Sequence, residues 1–344
     1  MIRRLLLLLA VVSFSAFSQA GPSCPDSTLL RTLLDRHKPA PQRFEFGAIG
    51  DQHYGAAGIA KWPALQSSIN RSTALQFVVH TGDIKSGSTL CDNPMFANRR
   101  QAFDAFEMPL ILTPGDNEWT DCHRENNGSY DSLERLDFLR RTFYPDNQSM
   151  GKRKITLSQQ SEDRRYFKYV ENEMWSQGNI LFATVHIVGS NNNLGRNAAN
   201  DIEWSERTHA NFNWIKTIFS VARDNHFAGV VLVMQINPGF TGVRVRVANL
   251  AEQGARDSFF VIEDEAITFK KPVLLIHGDS HEFHFDKPLI GARSGSPIDN
   301  LMRMEVPGSA DVHWVRVTVD PAKTQLFGIE HVDVPENFFT QTNP

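Results

Sequence analysis

The 344-residue sequence predicts an α/β fold on three observations: short apolar runs of strand length recur, helical patterns lie between them, and each run ends in residues that can carry chemistry. The apolar runs cover residues 44–49, 77–80, 110–113, 230–234 and 273–276. Leu133, Leu136, Leu139 and Phe143 mark one helix face, and Trp214, Ile218 and Val221, beside Ile215 and Phe219, mark another. Alternation of this kind indicates a largely parallel sheet flanked by helices. A helical pattern around Leu29 to Leu34 precedes the first run. Residues 166–176 and 180–188 flank Gly178-Asn179 in the manner of a hairpin, and 313–319 with 326–334 read as a closing antiparallel pair. The polar stretch 147–165 reads as a surface excursion that could cap a site.

With 41% hydrophobic and 22% charged residues, the composition is that of a folded protein and excludes a disordered tail or a disulfide-stapled miniature. A net charge of −4 offers no general attraction for nucleic acid. The one long apolar run lies at the extreme N-terminus. There Arg3 and Arg4 precede a short apolar core and Ser18-Gln19-Ala20 suits cleavage, so residues 1–20 read as a secretory signal and 21–43 as a leader. Cleavage removes two arginines and no acid, which takes the net charge to −6 and leaves no transmembrane segment. The expected location is therefore outside the cytoplasm, in the periplasm or the medium. Of three cysteines, Cys91 and Cys122 each lie just beyond a candidate active-site loop; a bridge between them and two free thiols are both open. Cys24 is left over.

The polar residues fall where sheet proteins build sites. The first run leads into Gly50-Asp51-Gln52-His53, the second into Thr81-Gly82-Asp83, and the third into Pro114-Gly115-Asp116-Asn117-Glu118. The fourth ends at Gln235, ahead of Asn237-Pro238, and the fifth at His277-Gly278-Asp279-Ser280-His281. In open α/β sheets ligands bind outside the carboxyl ends of the strands. Five such ends imply one polar basin, and carboxylates clustered there require a cation. Taken singly, Asp51 or Asp83 could cap the next helix, Asp116 could sit in an Asx turn, and His281 could be a satisfied core histidine. Gly278-Asp279-Ser280 also resembles the nucleophile motif of the GDSL esterases, but theirs lies near the N-terminus.

Asp-x-His, Gly-Asp, Pro-Gly-x-x-Glu, a loop before Pro, and Gly-x-x-His, in that order across residues 44–284, resemble the calcineurin-like metallophosphoesterases. The resemblance implies a four-layer α/β/β/α sandwich over residues 44–340. It also implies one or two divalent ions (Mn, Fe, Zn, Mg or Ca) that bind a phosphoester and activate water for in-line attack. Carried over by position, Asp51, His53, Asp83 and His281 would hold one ion, with Asp83 bridging to a second held by Asp116, Gln235 and Asp279. The second set departs from the family pattern. Either Asp116 or, one residue later, Asn117 takes the ligand position, leaving Asn117 or Glu118 at that of the general acid. His277 could replace Asp279 only by a local distortion, since it should point to the opposite face.

Four carboxylates against two divalent ions leave the basin close to neutral, and the second ligand set is all oxygen, which favours Mg, Mn or Ca there. A singly charged phosphodiester then suits the site better than a monoester dianion. His123 is a further acid candidate, Arg124 a group that could hold a phosphate oxygen, Asn191 a pocket-lining residue, and His80 a partner for a ligand carboxylate. The expected substrate is a small phosphoester or a lipid- or nucleotide-type one. A non-catalytic or single-ion relative that binds without cleaving competes with this reading, as does a hydrolase of a non-phosphate ester.

Overall fold

The computed structural model describes residues 27–240 and 244–338. The expected signal segment, Cys24 and residues 339–340 of the expected domain lie outside the described residues. Helix α1 (Ser27–Arg36) precedes β1 (Phe44–Ile49), α2 (Gly55–Arg71), β2 (Leu75–His80), α3 (Asn93–Asp104) and β3 (Leu110–Leu112). Next come α4 (Ser132–Phe143), β4 (Ser158–Gln159), β5 (Glu173–Gln177), β6 (Ile180–Thr184), the single turn α5 (Gly189–Asn192) and α6 (Ala198–Asp224). The chain continues through β7 (Gly229–Val233), β8 (Val245–Arg246), α7 (Gln253–Phe269), β9 (Val273–His277), β10 (His284–Asp286) and β11 (Leu289–Ile290). It closes with β12 (Leu301–Glu305), β13 (Trp314–Val319) and β14 (Phe327–Val332).

β8 and β11 form a separate parallel pair, and the other twelve strands build two facing sheets. One has the order β14-β13-β1-β2-β3 and the other β10-β12-β9-β7-β6-β5-β4. Within them β1, β2 and β3 run parallel, as do β6, β7, β9 and β12, while the outer strands are antiparallel. Period-two alternation sorts the side chains: Val230, Leu232, Val273 and Leu275 face the helices, whereas Val231, Val233, Leu274 and Ile276 face the other sheet. The space between the sheets is filled by Phe46, Phe77, Trp175, Phe182, Val315 and Val317. Trp62, Leu65, Phe96, Phe103 and Leu139 cover the first sheet with α2, α3 and α4; Leu33, Trp214, Ile218, Phe259 and Ile262 cover the second with α1, α6 and α7. The protein is thus a four-layer α/β/β/α sandwich, where sequence periodicity alone indicated one flanked sheet.

Two local expectations are corrected. Residues 166–176 are not one strand: Asp163 caps a tight turn at Arg164–Tyr166 by accepting the Arg165 N–H at 2.9 Å, and β5 begins only at Glu173. Residues 147–165 do not cap the site. Met150 bridges to Leu110 at the edge of one sheet, β4 pairs with β5 at the edge of the other, and Met150 and Leu157 are buried, so the segment ties the two sheet edges together. The open question about Cys91 and Cys122 is resolved as a disulfide.

Candidate metal centre

Because the central strands run parallel, their carboxyl ends open on one rim, and the loops leaving them carry Asp51, Asp83, Asp116, Gln235 and Asp279. Those loops have unusual backbones. Asp51, His53, Asp83, Asp279 and His281 all take left-handed φ values between 54° and 83°, and Ser190, Asn191, Asn192 and Asn193 in the loop after β6 take values between 52° and 72°. Non-glycine residues avoid this region unless surrounding structure holds them there, and such residues concentrate at functional sites.

Asp83, Asp116 and Asp279 each bring a ligand atom within 4.8 Å of the others, the one such group among the described residues. Two oxygens opposite each other on a cation, at bonds of about 2.4 Å, would be separated by that distance. The carboxylates are oriented by donors. Asp83 Oδ2 accepts from Tyr54 Oη at 3.0 Å, Asn117 Nδ2 at 2.9 Å and Gln235 Nε2 at 3.3 Å. Asp279 accepts from Gln235 Nε2 at 3.0 Å and from the Asn237 N–H at 2.8 Å. Asp116 Oδ2 accepts from Ser190 Oγ at 2.8 Å. Asp51, fully buried, has His281 Nε2 at 3.6 Å from Oδ1, the one ion-pair partner found for these four aspartates among the described residues. His281 Nδ1 contacts Ser309 O at 2.7 Å, which as an N–H donor leaves Nε2 a lone pair facing Asp51.

Electrostatics point the same way. Burial, then the neighbouring aspartates, pushes Asp51 and Asp83 well above the usual carboxylate range. Burial followed by repulsion from Asp121 takes Asp116 up to about 6; burial followed by repulsion from Asp116 takes Asp279 to about 7. A divalent ion would remove that cost. Room for one is built in. A Cβ on Gly189 would stand 2.8 Å from Asp116 Oδ2 and 3.0 Å from Asp279 Oδ1, so only a glycine keeps the cradle between those carboxylates open. The oxygen-rich donor set therefore fits a hard divalent cation.

Several expected residues are placed differently. His53 is buried with its ring 3.8 Å, centroid to centroid, from Trp62 and beside Phe103, so Asp51, His53, Asp83 and His281 do not form a single group. The left-handed turns at Asp51 and His53 bring Tyr54 to the carboxylates instead. Gln235 Oε1 accepts the Gly189 N–H at 2.7 Å, which fixes its amide so that it offers the cluster a donor and not a ligand oxygen. Of the two registers for the third motif, Asp116 joins the carboxylate group and Asn117 donates to Asp83. Glu118 is fully buried and accepts from the backbone N–H groups of Gly115, Asp83 and Ile84, at 2.5, 3.2 and 3.3 Å; it clamps two loops together and faces no substrate space.

His123 is exposed, with Nδ1 near Thr120 O and Arg196 Nη1, and is not one of the clustered metal-ligating groups. Arg124 pairs with Asp121 at 2.8 Å on the rim. Asn191 ties its own loop to α7 through the Gly254 N–H and Leu194 O. His80 accepts the Gly82 N–H rather than bonding a carboxylate, and His277 faces Glu305 and Phe240. Tyr54, Ser190 and Arg196 are the residues that sequence reasoning missed as site groups, while Asn237 stood at one of the five strand ends. Ser190 adjoins a loop already singled out by its asparagines, whereas nothing in the spacing marks Arg196.

No protein-family model matches the chain, and no curated protein matches it in sequence. Among solved structures it is similar to PhoD, with a TM-score of 0.50 and 12% identity over 86% of this chain and 69% of that one. It is also similar to GAP50, the anchor in the inner membrane complex of Plasmodium, with a TM-score of 0.48 and 10% identity over 86% of each chain. A third similar structure is TT1561 of Thermus thermophilus, with a TM-score of 0.45 and 8% identity over 85% of this chain and 100% of that one. At these identities the likeness to PhoD is one of fold.

Proposed function

We propose that this chain is an exported, metal-dependent phosphoesterase of the calcineurin-like type that hydrolyses a phosphodiester in preference to a monoester. The observation that carries the reading is the approach of Asp83, Asp116 and Asp279 to one another at the carboxyl ends of the strands, with no lysine or arginine paired to them among the described residues. A divalent ion held there supplies Lewis acidity, which makes water nucleophilic near neutral pH and screens phosphoryl charge. Asp83, Asp116 and Asp279 hold it, while Asp51 and His281 offer an oxygen and a nitrogen to a second. Tyr54, Asn117, Gln235 and Asn237 keep the carboxylates aimed by donating to them. Arg124 places a guanidinium on the rim, where it can pair a phosphoryl oxygen. Four carboxylates cancel two divalent ions, which disfavours a dianionic monoester. Neither Glu118 nor His123 faces the cluster, so esters with activated leaving groups should turn over best.

Export is supported by the signal pattern and by the Cys91–Cys122 disulfide, which persists in oxidising compartments. No helix among the described residues is long and apolar enough to cross a membrane.

A second reading, a single-ion binder without turnover, is favoured by the packing of His53 on Trp62 and by the donor orientation of Gln235. Metal analysis of purified protein, followed by hydrolysis of an aryl phosphodiester and its monoester across added Mn, Fe, Zn, Mg and Ca, separates the two. Two equivalents of metal with diester turnover are expected. One equivalent with no turnover of either ester would leave the binder, and a strong monoester preference would overturn the charge argument.

A further inference from the structure

We infer that a cavity beside the aspartate cluster, floored by Arg196 and His123, is a binding site for a phosphate group. The cavity, of about 370 Å³, lies between the N-termini of α4 and α6, and Tyr130 and Leu133 complete its wall. A continuous chain of contacts leads to it from the cluster. Ser190 Oγ lies 2.8 Å from both Asp116 Oδ2 and Asp121 Oδ1 and shares its one proton between them, and Arg196 Nη2 donates to that same Asp121 oxygen at 2.8 Å. Arg196 Nη2 is therefore within about 8.4 Å of the Asp116 carboxylate, three steps of 2.8 Å. Asp121 is buried and gripped by two guanidinium groups, Arg124 on Oδ2 and Arg196 on Oδ1, so with Asp131 on the cavity wall the formal charges of this corner cancel, and a phosphate would draw on the directed donors of Arg196 rather than on net charge.

One donor there is poorly matched. His123 Nδ1 lies 2.8 Å from Thr120 O and 3.0 Å from Arg196 Nη1. A ring nitrogen is either an N–H for the carbonyl or a lone pair for the guanidinium, so both contacts cannot be satisfied together. Phosphate entering the cavity would take Arg196 Nη1 and leave His123 to Thr120, while Nη2 stays on Thr120 Oγ1 and Asp121 Oδ1 and holds the guanidinium in place. The one carboxylate on the cavity wall, Asp131, accepts from the Leu133 and Glu134 N–H groups as the cap of α4. The 27-residue helix α6 points its positive end at the same space.

Resting on the phosphoesterase reading, the ligand is a phosphodiester that carries a second phosphate group, one phosphate at the cluster and the other at Arg196. With the metal-loaded cluster close to neutral, the Arg196 guanidinium gives such an anion a charge-assisted donor.

Titration calorimetry with inorganic pyrophosphate on chelator-treated protein tests the site apart from catalysis. Binding is expected for the native chain and should weaken at least tenfold in Arg196→Gln, with Arg196→Lys intermediate. Ala199→Glu, an exposed substitution in the first turn of α6 on the cavity wall, should weaken it similarly by repulsion while leaving the Arg196–Asp121 pair in place. Equal affinity in all four proteins, or no binding by the native chain, would overturn the proposal. The phosphoesterase reading fails separately, if no phosphodiester turns over while pyrophosphate binding still depends on Arg196.

Discussion

The backbone N–H of Asp279 donates to both carboxylate oxygens of Asp51, at 3.1 and 3.2 Å. One main-chain amide thus ties the loop after β9 in the second sheet to the loop after β1 in the first. The approach needs Gly278, where a Cβ would stand 2.1 Å from Asp51 Oδ2. Two like-charged side chains are held together by the backbone that carries one of them, so the cluster is assembled before any ligand arrives. That preorganisation motivates the following tests.

Gly189→Ala should close the cradle. Gly189 needs no left-handed backbone, so the change is tolerated by the main chain, but its methyl would stand 2.8 Å from Asp116 Oδ2. We expect metal affinity to fall at least tenfold with little change in melting temperature of the chelated protein. Undiminished metal affinity would mean that the ion lies elsewhere.

Asp116→Asn should raise the melting temperature of chelated protein and abolish most of the stabilisation by added metal. The substitution removes one of the repelling buried charges and keeps an acceptor for Ser190. At an ion concentration 100 times Kd the native chain gains about 2.7 kcal/mol; a site weakened about a hundredfold by the lost carboxylate gains only about 0.4 kcal/mol. Differential scanning calorimetry with and without Mn reads both effects.

The pH dependence of the gain from metal has a definite sign. Asp116 and Asp279 titrate near 6 and 7 in the folded chain, against about 3.9 when unfolded. Between those values these two groups bind more protons in the folded state, so their contribution to the stability of chelated protein falls as pH rises from about 4 to about 8, while His53, His80, His186 and His277, lowered by burial, contribute with the opposite sign up to about 6.5. Saturating metal should remove the carboxylate part, because the ion replaces the protons, so the stability gained from metal should grow with pH. Urea midpoints with and without metal across this range check it; a metal gain that does not grow with pH would contradict the raised carboxylates.

Glu118→Ala should destabilise the fold by about 2 kcal/mol or more, since three buried backbone N–H groups lose their acceptor. Glu118→Gln keeps an acceptor oxygen and should recover much of that loss. If Glu118→Gln left stability intact but slowed esters with poor leaving groups alone, Glu118 would be an acid rather than a clamp.

Removing the disulfide by Cys91→Ser with Cys122→Ser should lower stability by about 3–4 kcal/mol, from the entropy of a loop spanning 31 residues. Urea unfolding measures the change. Because the bridge lies under the Asn117 carbonyl, metal affinity should also weaken.

Much of the site was legible because it begins where regular structure ends. Apolar runs marked β1, β2, β3, β7 and β9, and parallel strands carry the residues after them to one rim, which places Asp51, Asp83, Asp116, Gln235 and Asp279 together. His277, still within β9, keeps the alternation and faces away from the cluster, as expected. Past the strand ends that rule fails. Asp51 and His53, two residues apart, would share a face in a strand, but left-handed φ values of 54° and 66° turn His53 onto Trp62 and bring Tyr54 to Asp83. Arg196 reaches Asp121 across 75 residues, a contact with no local periodicity behind it.

Local sequence by itself determined β1, β2, β3, β7 and β9, the buried faces of α4 and α6 and the inventory of aspartates at the strand ends, because burial periodicity and turn chemistry act over a few neighbouring residues. Only the tertiary structure decided which side chains meet: Tyr54 and not His53, the amide hydrogens of Gln235 and not its oxygen, Glu118 as a clamp, Arg196 at the rim. A loop side chain takes its direction from backbone angles that contacts with distant segments impose, and those contacts exist only once the two sheets have packed.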